Sequence, residues 1–372
     1  MLMPPSDTPS EPASRRAALA MLGRLGLAVG AGVSILGCKK RDRTQPQPDP
    51  AAPLLPEKKG VFGKEAPKRS KVVVFLDSLE TPMQNFQQVL TERLVRTRAG
   101  VDLVQIMALG DVQRQIAQIR TQVSQGATHL FVFPVDALAL VPVLTELKAT
   151  GVTIIAFSKD LPEKACTTAL FVDEAKIGEM AGNFVVSALQ QKSAEEGRPE
   201  TVGRVVQITG PEGNAYSKGV STAFQAALKK APGVVLVHDA PANWAAEEAG
   251  YRFNDALRLQ KQFDVVFCHS DFMAFGAARA ARAAQPPVRD SLLILGLDGN
   301  PGNGGGLSLV VNSEIDATVH VPPLVDFAWD ICVKILDDPA YTPKPRYELL
   351  PVLASGDLAA TLQSKGSPKP RI

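Results

Sequence analysis

The chain has 372 residues, which is long enough for two domains that each bury a hydrophobic core of their own. It carries 40 Lys and Arg residues against 38 Asp and Glu residues, and no basic cluster occurs in its body, which excludes binding to nucleic acid through a basic face. Apolar residues make up 45% of the chain and aromatic residues 6%, a composition typical of a soluble α/β protein rather than a membrane bundle.

The N-terminus has the parts of an export signal. Ser14, Arg15 and Arg16 precede an apolar stretch of mostly small residues over residues 17–37. A positively charged start, an apolar middle and a small residue before the cleavage point are the elements of such signals. The Ser-Arg-Arg opening resembles a twin-arginine signal, but Ala18 stands where that pattern has Phe, so the general secretory route also stays open.

The apolar stretch ends at residues 35–38 in Ile-Leu-Gly-Cys, which resembles a lipoprotein box. In that interpretation Cys38 is acylated, and residues 1–38 are an export signal that ends at this lipidation site. A single transmembrane helix is the alternative, because the stretch approaches the roughly 20 residues that span a bilayer. Arg24 and the many Gly and Ala residues favour the lipoprotein. We therefore expect an exported protein, periplasmic or at the cell surface, with a lipid anchor in a membrane.

Residues 39–69 are rich in Pro, Gln and charged residues. Such a composition cannot bury enough apolar surface to fold, and closely spaced prolines favour extended conformations. We predict a disordered tether here, which joins the anchor to a folded body that begins near residue 70.

Two successive series of strands and helices follow the tether. Continuous Val, Ile and Phe runs separated by helical patterns indicate parallel sheets covered on both faces. The first series predicts strands over residues 71–76, 102–107, 129–133 and 152–157, with helices that begin at Thr81, Asp111 and Ala137. The second predicts strands over 204–208, 234–238, 264–268 and 292–297, with helices over 216–230, 245–261 and 271–284. The sequence therefore predicts two doubly wound α/β lobes, which bind ligands beyond the carboxyl ends of their strands.

Cysteine and histidine usage gives no sign of a metal site or an enzyme. The cysteines after Cys38 are far apart, and we expect buried thiols at Cys166, Cys268 and Cys332. The four histidines lack metal-ligand spacing, and neither a Gly-x-Ser-x-Gly nor a Walker sequence occurs. Residues 302–306 are glycine-rich but precede a predicted strand, so we interpret them as a loop rather than a phosphate cradle. We expect no enzyme activity, no cofactor and no metal.

Six segments, in order, resemble the ribose-binding protein family, the sugar-binding type I periplasmic binding proteins. They are residues 79–83 (LETPM), 133–136 (FPVD), 154–159 (IIAFSK), 269–277 (HSDFMAFGA), 296–299 (GLDG) and 316–319 (DATV). Each motif alone is weak, but the ordered series is specific and extends over most of residues 71–352.

The resemblance implies two doubly wound parallel-sheet lobes joined by a hinge of three crossovers. The crossovers are expected near Val172, near Val321 and around residues 343–347. Lobe 1 would then comprise residues 70–172 plus 322–345, and lobe 2 residues 173–321 plus 346–372 with the tail.

For function, the resemblance implies a substrate-binding lipoprotein of an ABC transporter, which captures a small polar ligand, a sugar, in the cleft between its lobes. Its expected partners are that ligand, the transporter permease and the membrane that holds the anchor, and we expect a monomer. A lactose-repressor-type regulator shares the two-lobed core, but the export signal and tether occupy the place of its helix-turn-helix. A ligand-sensing lipoprotein that presents its closed state to a membrane receptor remains the alternative.

The resemblance gives four candidate ligand residues in lobe 2. Asp298 falls at the family's sugar-binding Asp, and a loop cap in a Gly-rich turn is the competing interpretation. Trp244 matches an aromatic residue that packs on the sugar, with plain packing as its alternative. Lys218 replaces an Arg that makes a bidentate contact which Lys cannot make, and a solvated Lys on a helix face is its alternative. Ser270 stands at a family Asn.

Lobe 1 departs further from the family. Ser158 and Lys159 replace an Asp-Arg pair of the ribose binders. Met83 and Gln84 stand where two Phe residues would sandwich the sugar, and Val321 replaces a Gln. We predict Ser158, Lys159, Met83 and Gln84 as ligand residues. The departures argue against ribose and favour another sugar, a modified polyol or a small ligand outside the carbohydrates.

Overall fold

Strands and helices alternate along the folded body in the computed structural model, which describes residues 70–76, 82–366 and 369. The export signal, the tether and Cys38 predicted from the sequence lie outside the described residues. All described residues fall within one compact unit, residues 64–372.

The first sheet is parallel throughout, with six strands in the order β11-β5-β4-β3-β1-β2. Its strands are β1 (Ser70–Leu76), β2 (Val101–Met107), β3 (Ala127–Val132), β4 (Thr153–Ala156), β5 (Thr168–Phe171) and β11 (Arg346–Glu348). Successive side chains of β1 point to opposite faces of the sheet. Val72 and Val74 therefore belong to one core, and Val73 and Phe75 to another.

Helices cover both faces of this sheet. They are α1 (Pro82–Val95), α2 (Val112–Ser124), α3 (Ala137–Ala149) and α9 (Leu324–Asp337). Residues of α1 and α9 contribute to the core that contains Val72, and residues of α2 and α3 to the core that contains Val73. Asp111 begins α2 as the sequence predicts, because its carboxylate accepts hydrogen bonds from the Gln113 and Arg114 amides at 2.9 and 3.0 Å. We call this sheet and its four helices lobe 1.

The second sheet has the strand order β12-β10-β9-β8-β6-β7 and is parallel except at one edge. Its strands are β6 (Gly203–Thr209), β7 (Val234–Pro241), β8 (Val265–Cys268), β9 (Leu293–Asp298), β10 (Ala317–His320) and β12 (Val352–Ser355). The edge strand β12 pairs antiparallel with β10, an arrangement common in otherwise parallel sheets.

Helices also cover both faces of the second sheet. They are α4 (Glu174–Glu195), α5 (Ala215–Leu228), α6 (Ala246–Gln260), α7 (Asp271–Ala283), α8 (Gly306–Val311) and α10 (Gly356–Lys365). One core packs α4 and α5 on the sheet through residues such as Val185 and Phe224. The other core packs the remaining four helices on the opposite face through residues such as the fully buried Phe253. We call this sheet and its six helices lobe 2.

The chain passes between the two sheets three times. The first two passages lie between β5 and α4, at residues 172–173, and between β10 and α9, at residues 321–323. The third lies between β11 and β12, at residues 349–351, rather than around residues 343–347 as the sequence suggested. The reason is that Arg346 pairs with Ala169 and Glu348 with Phe171, so residues 346–348 belong to the first sheet and not to lobe 2.

The predicted fold class, two doubly wound α/β lobes, is confirmed. One local prediction is wrong, because the glycine-rich residues 302–306 lead into the short helix α8 and not into a strand. The predicted burial of the thiols is confirmed, since Cys166, Cys268 and Cys332 are free and buried, and burial raises the pKa of each. Among the residues that the structure describes, no helix is both long and apolar enough to cross a membrane.

Candidate ligand-binding cleft

A cavity of about 470 Å³ lies between the lobes, at the carboxyl ends of strands from both sheets. Lobe 1 contributes residues that follow β3 and β4 and the first turn of α1. Lobe 2 contributes residues at or beyond the ends of β6, β7, β8 and β9. The crossovers at residues 172 and 321–322 form part of the wall. Open α/β sheets bind ligands at this edge, so the cavity is the candidate site.

Six of the eight residues that the sequence predicts as ligand contacts line this cavity. They are Met83, Gln84, Ser158, Lys159, Trp244 and Asp298. Val321, the residue at a family Gln, also lines it. The structure thus brings the candidates from both lobes into one space, although Met83 and Asp298 are 215 positions apart along the chain.

The other two predicted contacts, Lys218 and Ser270, do not line the cavity. Lys218 is exposed on α5, and Tyr216 lines the cavity instead. Side chains two positions apart on an α-helix point in directions about 200° apart, so Tyr216 and Lys218 cannot both face the cavity. Ser270 is buried behind the cavity, where its hydroxyl accepts a hydrogen bond from the Met273 amide at 3.2 Å and caps α7.

Asp298 ends β9, is 7% exposed and has a backbone φ of 108°. Asp298 lines the cavity, and within the described part of the chain no hydrogen bond reaches its carboxyl group. Burial, and then the neighbouring Asp271 carboxyl, raise its pKa well above the ordinary value. Gly299 follows with a φ of 60°, and a Cβ atom there would lie 2.6 Å from the Cα atom of His320. This turn therefore requires glycine.

Asp271 supports the turn from behind, a role that the sequence did not predict. The Gly299 amide donates a 2.6 Å hydrogen bond to its Oδ2 atom. Its carboxyl group packs against Gly296 and Gly306, where Cβ atoms would come within 2.3 and 1.9 Å of its oxygens. Burial raises the pKa of Asp271 to about 7. Two buried carboxyl groups thus lie close together at this end of the cavity.

Trp244 is held in place before any ligand arrives. Both Asn243 and Trp244 have left-handed backbone conformations, with φ values of 46° and 63°. The indole ring packs on Gly210, where a Cβ atom would come within 2.2 Å of it. The Asn243 amide donates a hydrogen bond to Glu248 at 2.9 Å, which ties the turn to the start of α6. A ring fixed in this way can stack on an apolar ligand face with little further loss of freedom.

His269 lines the cavity as a neutral side chain with both ring nitrogens engaged. The Gln225 side-chain amide donates a hydrogen bond to the Gln207 Oε1 atom at 3.3 Å. The amide nitrogen of Gln207 therefore points toward the imidazole ring and lies 2.8 Å from the His269 Nε2 atom. The proton of the ring is then on Nδ1 and is donated to the Ser217 hydroxyl at 2.8 Å. Burial lowers the pKa of His269 to about 3. From the sequence, His269 lacks metal-ligand spacing and begins one of the family motifs, but its place in the cavity was not predicted.

Lys159 connects the two lobes at the first crossover. It follows β4 in lobe 1, and its ammonium group contacts Glu174 and, at 3.4 Å, Asp173, both at the start of α4 in lobe 2. The hydrogen bond to Glu174 is the largest cause of the raised pKa of Lys159. Lys159 and Glu174 both line the cavity, so this interlobe ion pair lies beside the ligand space.

The lobe 1 wall is positioned by a buried amide and by stacked rings. Gln115, which is fully buried, donates to the Phe133 carbonyl at 2.8 Å and accepts from the Val135 amide at 3.0 Å. Val135 and the Pro before it line the cavity. Phe157, also in the wall, stacks on Phe133 with ring centroids 4.0 Å apart. Phe157 thus presents an aromatic ring to the cavity from lobe 1.

Taken together, the cavity offers aromatic rings, carboxyl, hydroxyl and amide groups from two lobes, which suits a small ligand with polar edges and apolar faces. Within residues 70–76, 82–366 and 369, no group of three or more His, Cys, Asp or Glu residues could hold a metal ion. The fold and this site define a two-lobed binding protein.

Comparison with known families agrees with this class. Residues 72–325, more than half of the chain, match the sequence profile of the periplasmic binding protein domain. The chain therefore belongs to the periplasmic binding protein family, as the ordered motifs predict.

Individual relatives are binding proteins. The putative rhizopine-binding protein of Rhizobium meliloti is 27% identical over 259 residues, which are 67% of this chain and 77% of that protein. The solved structure of the Caulobacter myo-inositol binding protein bound to myo-inositol has a TM-score of 0.65 at 23% identity and covers 82% of this chain and 99% of its own. The solved structure of the fructose binding periplasmic domain of the hybrid two component system BT1754 has a TM-score of 0.63 at 23% identity. The match covers 79% of this chain and 93% of that domain. At these identities, the two structures establish the shared fold.

Proposed function

We propose that this protein is an extracytoplasmic substrate-binding protein, which captures a small polyhydroxy ligand, a sugar or related polyol, and delivers it to an ABC importer. The observation that carries the proposal is the single cavity lined by polar and aromatic side chains of both lobes. Relatives named for binding rhizopine, myo-inositol and fructose support a polyol as the ligand. The protein acts by binding and not by catalysis, and it acts as a monomer.

The ligand is held in this proposal by the six predicted residues that line the cavity and by Tyr216, Glu174 and His269. Asp298 and Ser158 supply hydrogen-bonding groups for ligand hydroxyls, and Trp244 supplies an apolar face. Lys218 and Ser270 have no direct contact with the ligand in this arrangement.

A thermal-shift screen tests the proposal, because a ligand that binds only the folded state raises the melting temperature. The panel contains pentoses, hexoses, inositols and linear polyols, with amino acids and nucleosides as controls. We expect a rise in melting temperature with at least one polyol and none with the amino acids. A rise with amino acids or nucleosides alone would contradict the proposed ligand class.

The variants Trp244→Ala and Asp298→Ala test the site with the ligand that the screen finds. Each removes a contact worth about 1–3 kcal/mol, so the dissociation constant should rise by roughly 5- to 150-fold in calorimetry. Tyr251→Ala is the control, because Tyr251 is 63% exposed and does not line the cavity. Unchanged affinity in both site variants, with the fold intact, would rule out this cavity as the site.

Export and anchoring are part of the proposal. The lipoprotein-box sequence at residues 35–38 leads us to expect a lipid on Cys38. Cys38→Ala should release the protein from the membrane fraction in soluble form. Mass spectrometry of the wild-type protein tests the same point, and an intact, unacylated N-terminus would contradict it.

Ligand sensing is the second candidate function, favoured by the likeness to a periplasmic domain of a hybrid two component system. In that case the closed state is presented to a membrane receptor instead of a permease. Transporter permease and ATPase genes beside the gene for this chain, and co-purification of that permease, support import. A neighbouring receptor gene without a permease supports sensing.

A further inference from the structure

The charges that line the cavity are unequal. Three of the lining residues carry carboxyl groups, Asp160, Glu174 and Asp298, whereas Lys159 is the single Lys or Arg among the described residues of the wall. The known wall therefore has an excess of acidic groups.

The one ammonium group of the wall is already balanced. Lys159 contacts Glu174 and Asp173, and within the described residues no ion pair joins it to Asp298. The family position that would carry a second cation is Lys218, which is exposed and does not line the cavity. Among the described residues, no Lys or Arg therefore forms an ion pair with Asp298.

The surroundings of Asp298 increase this imbalance. The Asp271 carboxyl group lies behind it, the Tyr216 hydroxyl group beside it, and the neutral imidazoles of His269 and His320 nearby. Asp298 is more than nine-tenths buried, and no hydrogen bond from the described part of the chain reaches its carboxyl group. A buried carboxylate needs a positive partner, and without one the group retains its proton instead.

We propose that the ligand is a polyol that carries a basic amine, and that its ammonium group binds the Asp298 carboxylate. This inference rests on the proposed function and narrows its ligand class. On binding, the carboxyl proton passes to solvent and the ammonium group takes its place as the positive partner. Trp244 and Tyr216 line the same space, and aromatic faces attract a cation. A ligand with a carboxylate or phosphate is repelled by the acidic excess.

Calorimetry with matched compounds tests the inference on the wild-type protein. The pairs are D-glucose with D-glucosamine, D-galactose with D-galactosamine, and myo-inositol with its amino-deoxy analogues. The N-acetyl derivative of each amine controls for size without charge. We expect an amine to bind at least tenfold more tightly than its hydroxyl and N-acetyl partners.

The variant Asp298→Asn keeps the shape of the side chain and removes its charge. We expect the preference for the amine to disappear, while Asp290→Asn, at an exposed residue outside the cavity, retains it. The wild-type comparison needs no variant, so it decides the inference even where Asp298→Asn fails to fold.

The possible results distinguish a failure of this inference from a failure of the proposed function. If neutral polyols bind as tightly as the amines, the inference is overturned and the proposed function stands. If an amine is preferred but Asp298→Asn retains the preference, the role of Asp298 is overturned. If no polyol in either panel binds at millimolar concentration, both are overturned.

Discussion

Three of the six non-glycine residues with positive φ in the described part of the chain lie beside the cleft. Asn243, Trp244 and Asp298 are non-glycine residues with positive φ, and each such conformation costs on the order of 1–3 kcal/mol. The surrounding packing must hold them, as Gly210 does for the indole ring and Asp271 for the turn after Asp298. The ring and the carboxyl group are therefore positioned in advance, which reduces the ordering that a ligand must impose.

Gly299 and Gly302 give a matched test of this turn. Both have positive φ, but a Cβ atom at Gly299 would lie 2.6 Å from the His320 Cα atom, whereas none lies within 4 Å at Gly302. Both alanine variants should lose about 1–2 kcal/mol through the backbone conformation, and Gly299→Ala about 1–3 kcal/mol more through the forced shift.

Thermal unfolding and calorimetry measure the two effects. Gly299→Ala should have the lower melting temperature and also bind ligand more weakly, because Asp298 moves with the turn. Gly302→Ala should keep the wild-type affinity. Equal melting temperatures and affinities in the two variants would show that contact with His320 does not constrain the site.

The candidate site was predictable where a residue stands at the end of a strong strand or matches a motif. Asp298 follows an apolar run, and Trp244 precedes an amphipathic helix. His269 and Glu174 were missed, because their roles depend on partners far away in the sequence, such as Gln207 for His269 and Lys159 for Glu174. Lys218 was misplaced, because alignment to a motif does not determine which face of α5 meets the cavity.

Helix packing in lobe 2 depends on glycines that bring backbones close together. A Cβ atom at Gly178 of α4 would lie 2.2 Å from the Val220 carbonyl oxygen of α5, and one at Gly182 would lie 2.5 Å from the Ala227 Cβ atom. By contrast, a Cβ atom at Gly250 of α6 would have its nearest neighbour at 3.5 Å, an ordinary contact distance. The same residue type therefore has different roles in two helices.

We predict opposite effects of Gly178→Ala and Gly250→Ala on the free energy of unfolding. Alanine favours a helix interior over glycine by about 1 kcal/mol, so Gly250→Ala should raise stability by roughly 0.5–1 kcal/mol. At Gly178 the same gain is outweighed by overpacking against α5, and a net loss of about 1–3 kcal/mol is expected. Urea unfolding followed by circular dichroism measures both. A stabilised Gly178→Ala would mean that α4 and α5 are not held at this distance.

The elements that the sequence predicted are those with long apolar or amphipathic patterns, such as β1, β6 and α3. Short strands at the sheet edges were missed, because three or four residues are too few to show a period. In β11 only Tyr347 is buried, and its pairing with β5 joins residues about 177 positions apart. Pairing of this kind depends on the finished sheet and not on local preference.

At the scale of the whole molecule, two separately packed lobes meet around one cavity. Each sheet has its own pair of cores, one on each face, and lobe 1 and lobe 2 share three crossovers. Lys159 and Glu174 form an ion pair that spans the lobes next to the first crossover. Such lobes have no need to remodel internally when ligand arrives, so a change of their relative orientation must be absorbed at the crossovers.

We therefore predict that ligand closes the two lobes as rigid bodies, with bending at residues 172–173, 321–323 and 349–351. Ligand can favour a closed state only by contacts that the open state lacks, and the candidate contacts are divided between the lobes, with Ser158 on one side and Trp244 on the other. Small-angle scattering of the wild-type protein should show a smaller radius of gyration at saturating ligand.

The variant Trp244→Ala tests the link between binding and closure. With one of the lobe 2 contacts removed, a higher ligand concentration should be needed before the radius of gyration falls, because the ligand then favours the closed state by a smaller difference in affinity. Tyr251→Ala should close like the wild type. An unchanged scattering curve for the wild-type protein at full saturation, confirmed by calorimetry on the same sample, would show that the crossovers do not act as a hinge and that a partner does not recognise this protein through closure.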